Sequence, residues 1–310
     1  MPTKTKKKGS HSNYDKADRI LREARARRMA AIKAPALRGT AAKRAAERGL
    51  FTPDPEDLPG RGLQIVAEGD SWFDYKVIIR SDILECLRDL GYRVEHDAKA
   101  GDLIDRMAHE PHQLPAVLDL IQRHKPRFML LSGGGNDIAG AELAMLVNHR
   151  NSALAHGGEV LRKGVVDYIM DTAIKGAYQR VIDTCLDAAR QANIPKFQII
   201  GHGYDYPFAD GRAVIDVGPI EIIGPWLEPP LKVRGYLSEA DRNSIMRQLI
   251  DRINDVLKNL ENQYGGAFHY VDLRKSLTKR SDWANELHPD YKGFQRVAKK
   301  FHMKMQNLLP

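Results

Sequence analysis

The stretch LQIVAEGDSWFDY, Leu63–Tyr75, joins a short apolar run to an abrupt break. Leu63, Ile65 and Val66 have the composition of a buried strand, and Gly69-Asp70-Ser71 turns the chain out of it. Ser71 is thereby delivered to the carboxyl end of a strand. In open parallel α/β sheets the ligand crevice lies outside those ends, so the hydroxyl is placed to meet a substrate. At neutral pH a serine hydroxyl becomes a nucleophile only when a base takes its proton and donors stabilise the oxyanion that follows. Its partners must come from elsewhere in the chain.

From Gly62 onward strand-like and helix-like segments alternate. A helix near Ile79 to Leu90 is stopped by Gly91, and a short strand follows over Tyr92 to Glu95. A helix over Leu114 to His124 leads into a strand from Arg127 to Leu131. A long helix from about Val166 to Ala192 leads into a strand from Phe197 to Ile200. Ser238-Glu239-Ala240-Asp241 reads as a capping box with Asp in place of Glu, opening a helix to about Tyr264. Phe268 to Val271 is the last strand, and the last helix begins near Asp290. β-α repeated about five times predicts an α/β fold: a three-layer α/β/α, doubly wound parallel sheet with helices on both faces.

Three further stretches follow predicted strands and supply what Ser71 lacks. Gly101 has no side chain, so its backbone N–H can approach a ligand closely. In Gly133-Gly134-Gly135-Asn136-Asp137 the glycines bring the backbone near the site, and Asn136 can aim an amide N–H at a developing oxyanion. In Asn285-Glu286-Leu287-His288-Pro289, His288 is the candidate base, because a neutral imidazole suits proton transfer near neutral pH. In a doubly wound sheet all four stretches converge on one edge.

Those residues, in that order, resemble the signature of the SGNH, or GDSL-type, serine hydrolases. The blocks are Gly69-Asp70-Ser71, Gly101, Gly135-Asn136-Asp137 and His288-Pro289, and the resemblance covers about Gly62 to Pro310. It implies a flavodoxin-like sheet with Ser71 as nucleophile and His288 as its base. It also implies an oxyanion hole made of the Ser71 and Gly101 backbone N–H groups and the Asn136 side chain. An acyl-enzyme on Ser71 would then be released by water. The family usually carries Asp three residues before the histidine, where this chain has Asn285. A neutral amide can orient an imidazole but stabilises imidazolium less than a carboxylate does. Asn285 is the third member by position, with Asp282 as the alternative by charge and Glu286 as a further carboxylate nearby. Asp70, Trp72, His202 and Trp226 are expected near the pocket, although a structural role suits His202 equally.

The chain has 310 residues, and 43% of them are hydrophobic, ample for a buried core. Its 48 Lys and Arg outnumber 40 Asp and Glu by 8, and the excess sits at one end. Residues 1–60 carry 15 basic and 7 acidic side chains, so the rest balances at 33 against 33. Residues 1–60 read as a basic extension, polar at first, then helical from Tyr14 to about Ala34 and again from Thr40 to Leu50, with Pro53, Pro55 and Pro59 before the domain that starts at residue 61. The extension could touch an anionic surface, nucleic acid or a protein partner. A chain that keeps the fold as a scaffold, with this extension supplying the contact, is therefore the alternative to an esterase. Cys86 and Cys185 fall in amphipathic helical patterns as core residues and form no disulfide framework. No leader with an apolar region and no membrane-length apolar run is present, which leads to the expectation of a cytoplasmic protein. His109-Glu110-Pro111-His112 fails as a zinc helix because Pro111 breaks the turn that would align its imidazoles. No metal or cofactor is expected, and the expected partner of the site is a small ester.

One long segment, residues 204–236, departs from the β-α rhythm. It carries Val214, Ile215, Val217, Ile220, Ile222, Ile223, Trp226 and Leu227 among five prolines. A segment this apolar suits disorder poorly, so a lid or acyl-pocket wall is expected, or packing against the domain or a second subunit.

Overall fold

The computed structural model describes residues 58–75, 81–215 and 222–309. The basic extension, save its last three residues, therefore lies outside the described residues, and so does the tip of the 204–236 insertion.

Five parallel strands form the sheet: β1 (Gln64–Glu68), β2 (Arg93–His96), β3 (Phe128–Leu131), β4 (Gln198–His202) and, after the short pair β5 (Val214–Ile215) and β6 (Ile222–Ile223), β7 (Phe268–Val271). Their order is β2-β1-β3-β4-β7. Strands of such a sheet are covered on both faces, which is why β1 and β3 read as nearly continuous apolar runs. Ile65, Val66 and Ala67, and all four residues of β3, are buried. From β1 the chain moves outward to β2, then crosses back to β3 and continues the other way. The strand order reverses between β1 and β3, and a crevice opens there at the carboxyl edge. Ser71 follows β1 directly.

Helices α1 (Ile83–Asp89) and, at the chain's end, α7 (Tyr291–Leu308) pack together on one face. On the other lie α2 (Ile104–His109), α3 (Gln113–His124), α4 (Lys175–Gln191) and α6 (Glu239–Tyr264), with the short α5 (Glu228–Val233) in the insertion. The doubly wound fold expected from the alternation is the one observed. Boundaries moved where side chains compete with periodicity. The first helix begins at Ile83, because Asp82 accepts the Glu85 N–H at 2.9 Å and caps it there. The long helix before β4 runs from Lys163 to Gln191 but passes through a π-helical segment, Tyr168–Ile174. At the entrance to α6 only half of the expected capping box forms. Ser238 Oγ accepts the Asp241 N–H at 3.3 Å, whereas the Asp241 carboxylate turns outward to Arg150. Among the described residues, no helix is long and apolar enough to cross a membrane. Cys86 and Cys185 are both free and buried, as core residues should be.

The insertion is built on the domain rather than standing away from it. β5 and β6 pair antiparallel, and α5 follows. Its anchor is Glu286, a fully buried residue of the histidine loop. Each carboxylate oxygen takes two backbone N–H groups: Oε1 from Gly211 (2.9 Å) and Glu228 (3.0 Å), Oε2 from Trp226 (2.6 Å) and Leu227 (2.7 Å). Burial raises the Glu286 pKa and these donors lower it. Four N–H groups demand an acceptor on every side, which a carboxylate supplies and a carboxylic acid does not.

Candidate active site

The turn after β1 holds its shape through Asp70. Its backbone carbonyl accepts the N–H of Phe73 (3.0 Å) and Asp74 (3.1 Å). Its Oδ1 accepts the Trp72 N–H (3.0 Å) and the Ser132 hydroxyl (2.7 Å), and its Oδ2 accepts the Tyr204 hydroxyl (2.8 Å). Gly69 has to be glycine for space, since a Cβ there would stand 2.8 Å from the Ser132 Cβ. The turn is gripped from the carboxyl ends of β3 and β4 as well as from β1.

Ser71 and His288 meet. His288 Nε2 lies 2.7 Å from Ser71 Oγ, and the two residues are 217 positions apart in sequence. Asn285 Oδ1 lies 3.1 Å from His288 Nδ1 and also accepts the N–H groups of Leu287 (2.9 Å) and His288 (3.0 Å). Two backbone donors fix that atom as the amide oxygen, and an amide oxygen only accepts, so Nδ1 carries the hydrogen. Nε2 is left with a lone pair facing the Ser71 hydroxyl, the tautomer a general base needs. Asn285 Nδ2 donates to the Tyr75 hydroxyl (2.9 Å), and the Tyr75 ring stacks on His288 with centroids 4.1 Å apart. Burial drives the His288 pKa down to about 3, so the ring is neutral at physiological pH.

Asp282 is not the third partner. It takes the Lys279 N–H (2.8 Å) and an ion pair with Arg296 (2.7 Å). Glu286 is spent on the insertion, as described above. The position that the resemblance marks, Asn285, is the one that meets the imidazole.

Gly101 adopts φ 84°, a left-handed conformation that favours glycine. Its loop is tied to the Ser71 turn by the Lys99 N–H on the Gly69 carbonyl (2.8 Å). It is tied to the Gly133–Asp137 loop by Asn136 Nδ2 on the Asp102 carbonyl (2.9 Å) and by the Ile104 N–H on Asp137 (3.1 Å). One hydrogen of the Asn136 amide is thereby used, and the second remains for another acceptor. Burial pushes the Asp137 carboxyl up to about 7.

Of the four residues expected near the pocket, Asp70 and Trp72 line it together with Ser71 and Asn136. Trp72 also donates its indole N–H to the Leu287 carbonyl (3.1 Å), joining the Ser71 turn to the histidine loop. Trp226 sits edge-on to His288, with ring centroids 6.0 Å apart. His202 is fully buried and is not a wall, so the structural role is the observed one. Its Nδ1 is 2.6 Å from the Gly203 carbonyl and its Nε2 is 2.8 Å from Ser132 Oγ. The carbonyl can only accept, so Nδ1 carries hydrogen. The single hydrogen of Ser132 cannot serve both His202 and Asp70. It goes to Asp70, and Ser132 Oγ also stands within hydrogen-bond distance of His202 Nε2, so the three residues form one buried row. Burial lowers the His202 pKa and Asp70 acts against it.

Sequence reading missed Ser132, Tyr75 and Tyr204 as supports. Ser132 and Tyr204 follow strand ends, which is a usable signal; Tyr75 carried none. Among the described residues no cluster of three or more His, Cys, Asp or Glu could hold a metal ion.

No protein-family model matches the chain, and no curated protein does. Among solved structures, the chain is similar to an extracellular lipase from Streptomyces rimosus, at 16% identity over 78% of this chain and 99% of that one, with a TM-score of 0.48. A family 3 carbohydrate esterase from Clostridium thermocellum matches at 14% identity over 79% and 96%, TM-score 0.40. A GDSL-like lipase from Bacteroides thetaiotaomicron matches at 13% identity over 87% and 98%, TM-score 0.36. What the site can do is read from its own geometry.

Proposed function

We propose that the protein is a serine hydrolase acting on a carboxylic ester. The observation that carries this is the short contact between Ser71 Oγ and His288 Nε2, with the opposite ring nitrogen fixed by Asn285. Ser71 Oγ attacks the acyl carbon while its proton passes to Nε2. The carbonyl oxygen, now negative, is met by the N–H groups of Ser71 and Gly101 and the free hydrogen of the Asn136 amide. The C–O bond to the alcohol breaks and the leaving oxygen takes the proton from Nε2, which leaves an acyl ester on Ser71. Water, deprotonated by the same imidazole, reverses the steps and frees the acid. Each role belongs to a residue already held by partners of its own, so little reorganisation is needed at the moment of reaction. A fluorophosphonate probe should label Ser71, as mapped by peptide mass spectrometry, and Ser71→Ala should abolish both labelling and hydrolysis of p-nitrophenyl acetate. Labelling at another residue, or turnover that survives Ser71→Ala, would reject the assignment.

A further inference from the structure

Resting on that reading, the pocket beside Ser71 limits the acid half of the substrate. Its volume is about 40 Å³, and its walls include Ile138, Ala139, Pro207, Leu227, Met246 and Ile250. Apart from the proline, these side chains are no more than 4% exposed, so the walls belong to the packed core. The leaving alcohol must lie at His288 Nε2 to receive its proton, but His288 is not among the lining residues, whereas Ser71 and Asn136 are. Trp283 and Leu287 of the histidine loop also line it, and with Ser71 and Asn136 in its wall the pocket opens beside the atoms assigned to the acyl carbon and its oxyanion, so it is read as the acyl side of the scissile bond. A water needs roughly 10–15 Å³ of such space, so there is room for about three groups of that size. The two carboxylates that reach the pocket are already taken, Asp70 by the Trp72 N–H (3.0 Å) and the hydroxyls of Ser132 (2.7 Å) and Tyr204 (2.8 Å), and Asp205 by the N–H groups of Lys275 (2.9 Å) and Leu277 (2.5 Å). A polar or charged acyl tail would lose its water there without a replacement partner.

We propose that the chain hydrolyses esters of short, unsubstituted aliphatic acids, from acetyl to about butyryl, with Leu227 of the insertion, Met246 and Ile250 setting the limit. The Leu227 wall does not swing freely, since its own N–H and those of Trp226 and Glu228 end on the buried Glu286 carboxylate. The insertion thus acts as a fixed acyl-pocket wall rather than a cover that opens for long chains. Met246→Ala and Ile250→Ala each delete three heavy atoms from the far wall and make room for a correspondingly longer chain.

The test measures kcat/KM over p-nitrophenyl acetate, butanoate, hexanoate and octanoate for the wild-type protein, Met246→Ala, Ile250→Ala and Glu286→Gln, with fluorophosphonate labelling of each. Wild type should lose at least about 10²-fold between butanoate and octanoate, because even one methylene that a pocket does not fit can cost 10-fold or more. The two alanine variants should move the optimum toward hexanoate, and Glu286→Gln, which loosens the wall, should flatten the series. A wild-type series that is flat or favours octanoate, with Ser71 still labelled, overturns the short-acyl proposal and leaves the hydrolase reading standing. So does an unmoved optimum in an alanine variant that still labels at Ser71. No labelling and no turnover with any ester overturns both.

Discussion

Replacing Asn285 by Asp tests the electrostatics of the site with almost no change of shape. Asn285 Oδ1 stands 3.1 Å from His288 Nδ1, which puts the centres of the two groups about 4 Å apart. Unit charges at that distance attract by about 4 kcal/mol at an effective dielectric constant near 20, or about three pKa units. Desolvating the new carboxylate offsets part of this, so a rise of about 1–3 units is expected. The carboxylate would keep the Leu287, His288 and Nδ1 donors. Its second oxygen would face Tyr75, whose pKa burial has pushed up to about 12. That phenol stays protonated and can turn its O–H toward the new acceptor. The sign follows directly: an imidazole that is neutral down to about pH 3 becomes one that protonates between about pH 4 and 6. A stronger base takes the Ser71 proton more readily, so kcat at pH 7 to 8 should rise on the order of tenfold if about half of a two-unit change is felt in the rate. The price is activity in acid. Initial rates of p-nitrophenyl acetate hydrolysis, followed from below about pH 3 up to pH 8, would show the acid limb of kcat/KM moving upward by about 1–3 pH units relative to wild type. An acid limb at the same pH in both proteins, or a variant slower than wild type at pH 7.5, would mean that Asn285 does not act on His288 through this contact.

Three other substitutions separate the parts of the site. Asn136→Ala should lower kcat by about 10²–10³ with a much smaller change in KM, since its amide meets charge that develops only in the transition state; a change confined to KM would move Asn136 from the oxyanion to substrate binding. Asp282→Ala should leave kcat within about twofold and cost no more than about 1 kcal/mol of stability, because the partner Arg296 is 43% exposed and such pairs contribute little; a hundredfold loss of kcat would reinstate Asp282 as the third member. Ser132→Ala removes the hydroxyl between Asp70 and His202, leaving His202 Nε2 without its buried partner, and should cost about 1–3 kcal/mol in urea unfolding; a loss under about 0.5 kcal/mol would show that the row of hydrogen bonds does not hold the turn.

What the sequence made legible was whatever depends on neighbours. The strand ending at Gly69 and the turn at Ser71 are local events, written in alternating apolar content and glycine, and so are the loops that carry Gly101, Asn136 and His288. The sheet order brings those ends together without any side-chain detail. The choice between Asn285 and Asp282 was not legible, because it depends on which way a loop of a few residues faces its carbonyl and side-chain oxygens. Position favoured one residue and charge the other, and the Nδ1–H met the amide oxygen that two adjacent N–H groups had already oriented. The insertion was legible as an apolar, folded segment. Its anchor was not, since Glu286 collects donors from positions 58 to 75 residues away. His202 reads from sequence as a strand-end histidine at the crevice, and only the positions of Ser132 and Asp70 show that it points beneath the turn.

The loop from Asn285 to His288 explains how Ser71 and His288, so far apart in sequence, can keep a 2.7 Å contact. Each of its four residues fastens a different group: Asn285 the imidazole, Glu286 the insertion, Leu287 the Trp72 indole through its carbonyl, and His288 the Ser71 hydroxyl. Position of the base is thus set by a strap between the two loops and not by the distant strand ends from which they emerge. The same strap passes through the Leu227 wall of the pocket, because the N–H of Leu227 and the N–H of Trp226 end on one oxygen of Glu286. Any displacement of that wall large enough to admit a longer chain must stretch those bonds, and it would pull on a residue flanked by Asn285 and Leu287. Pocket size and base alignment are for this reason one mechanical property of the loop. A substitution that enlarges the pocket from the α6 side leaves the strap intact, whereas one that frees Glu286 acts on both.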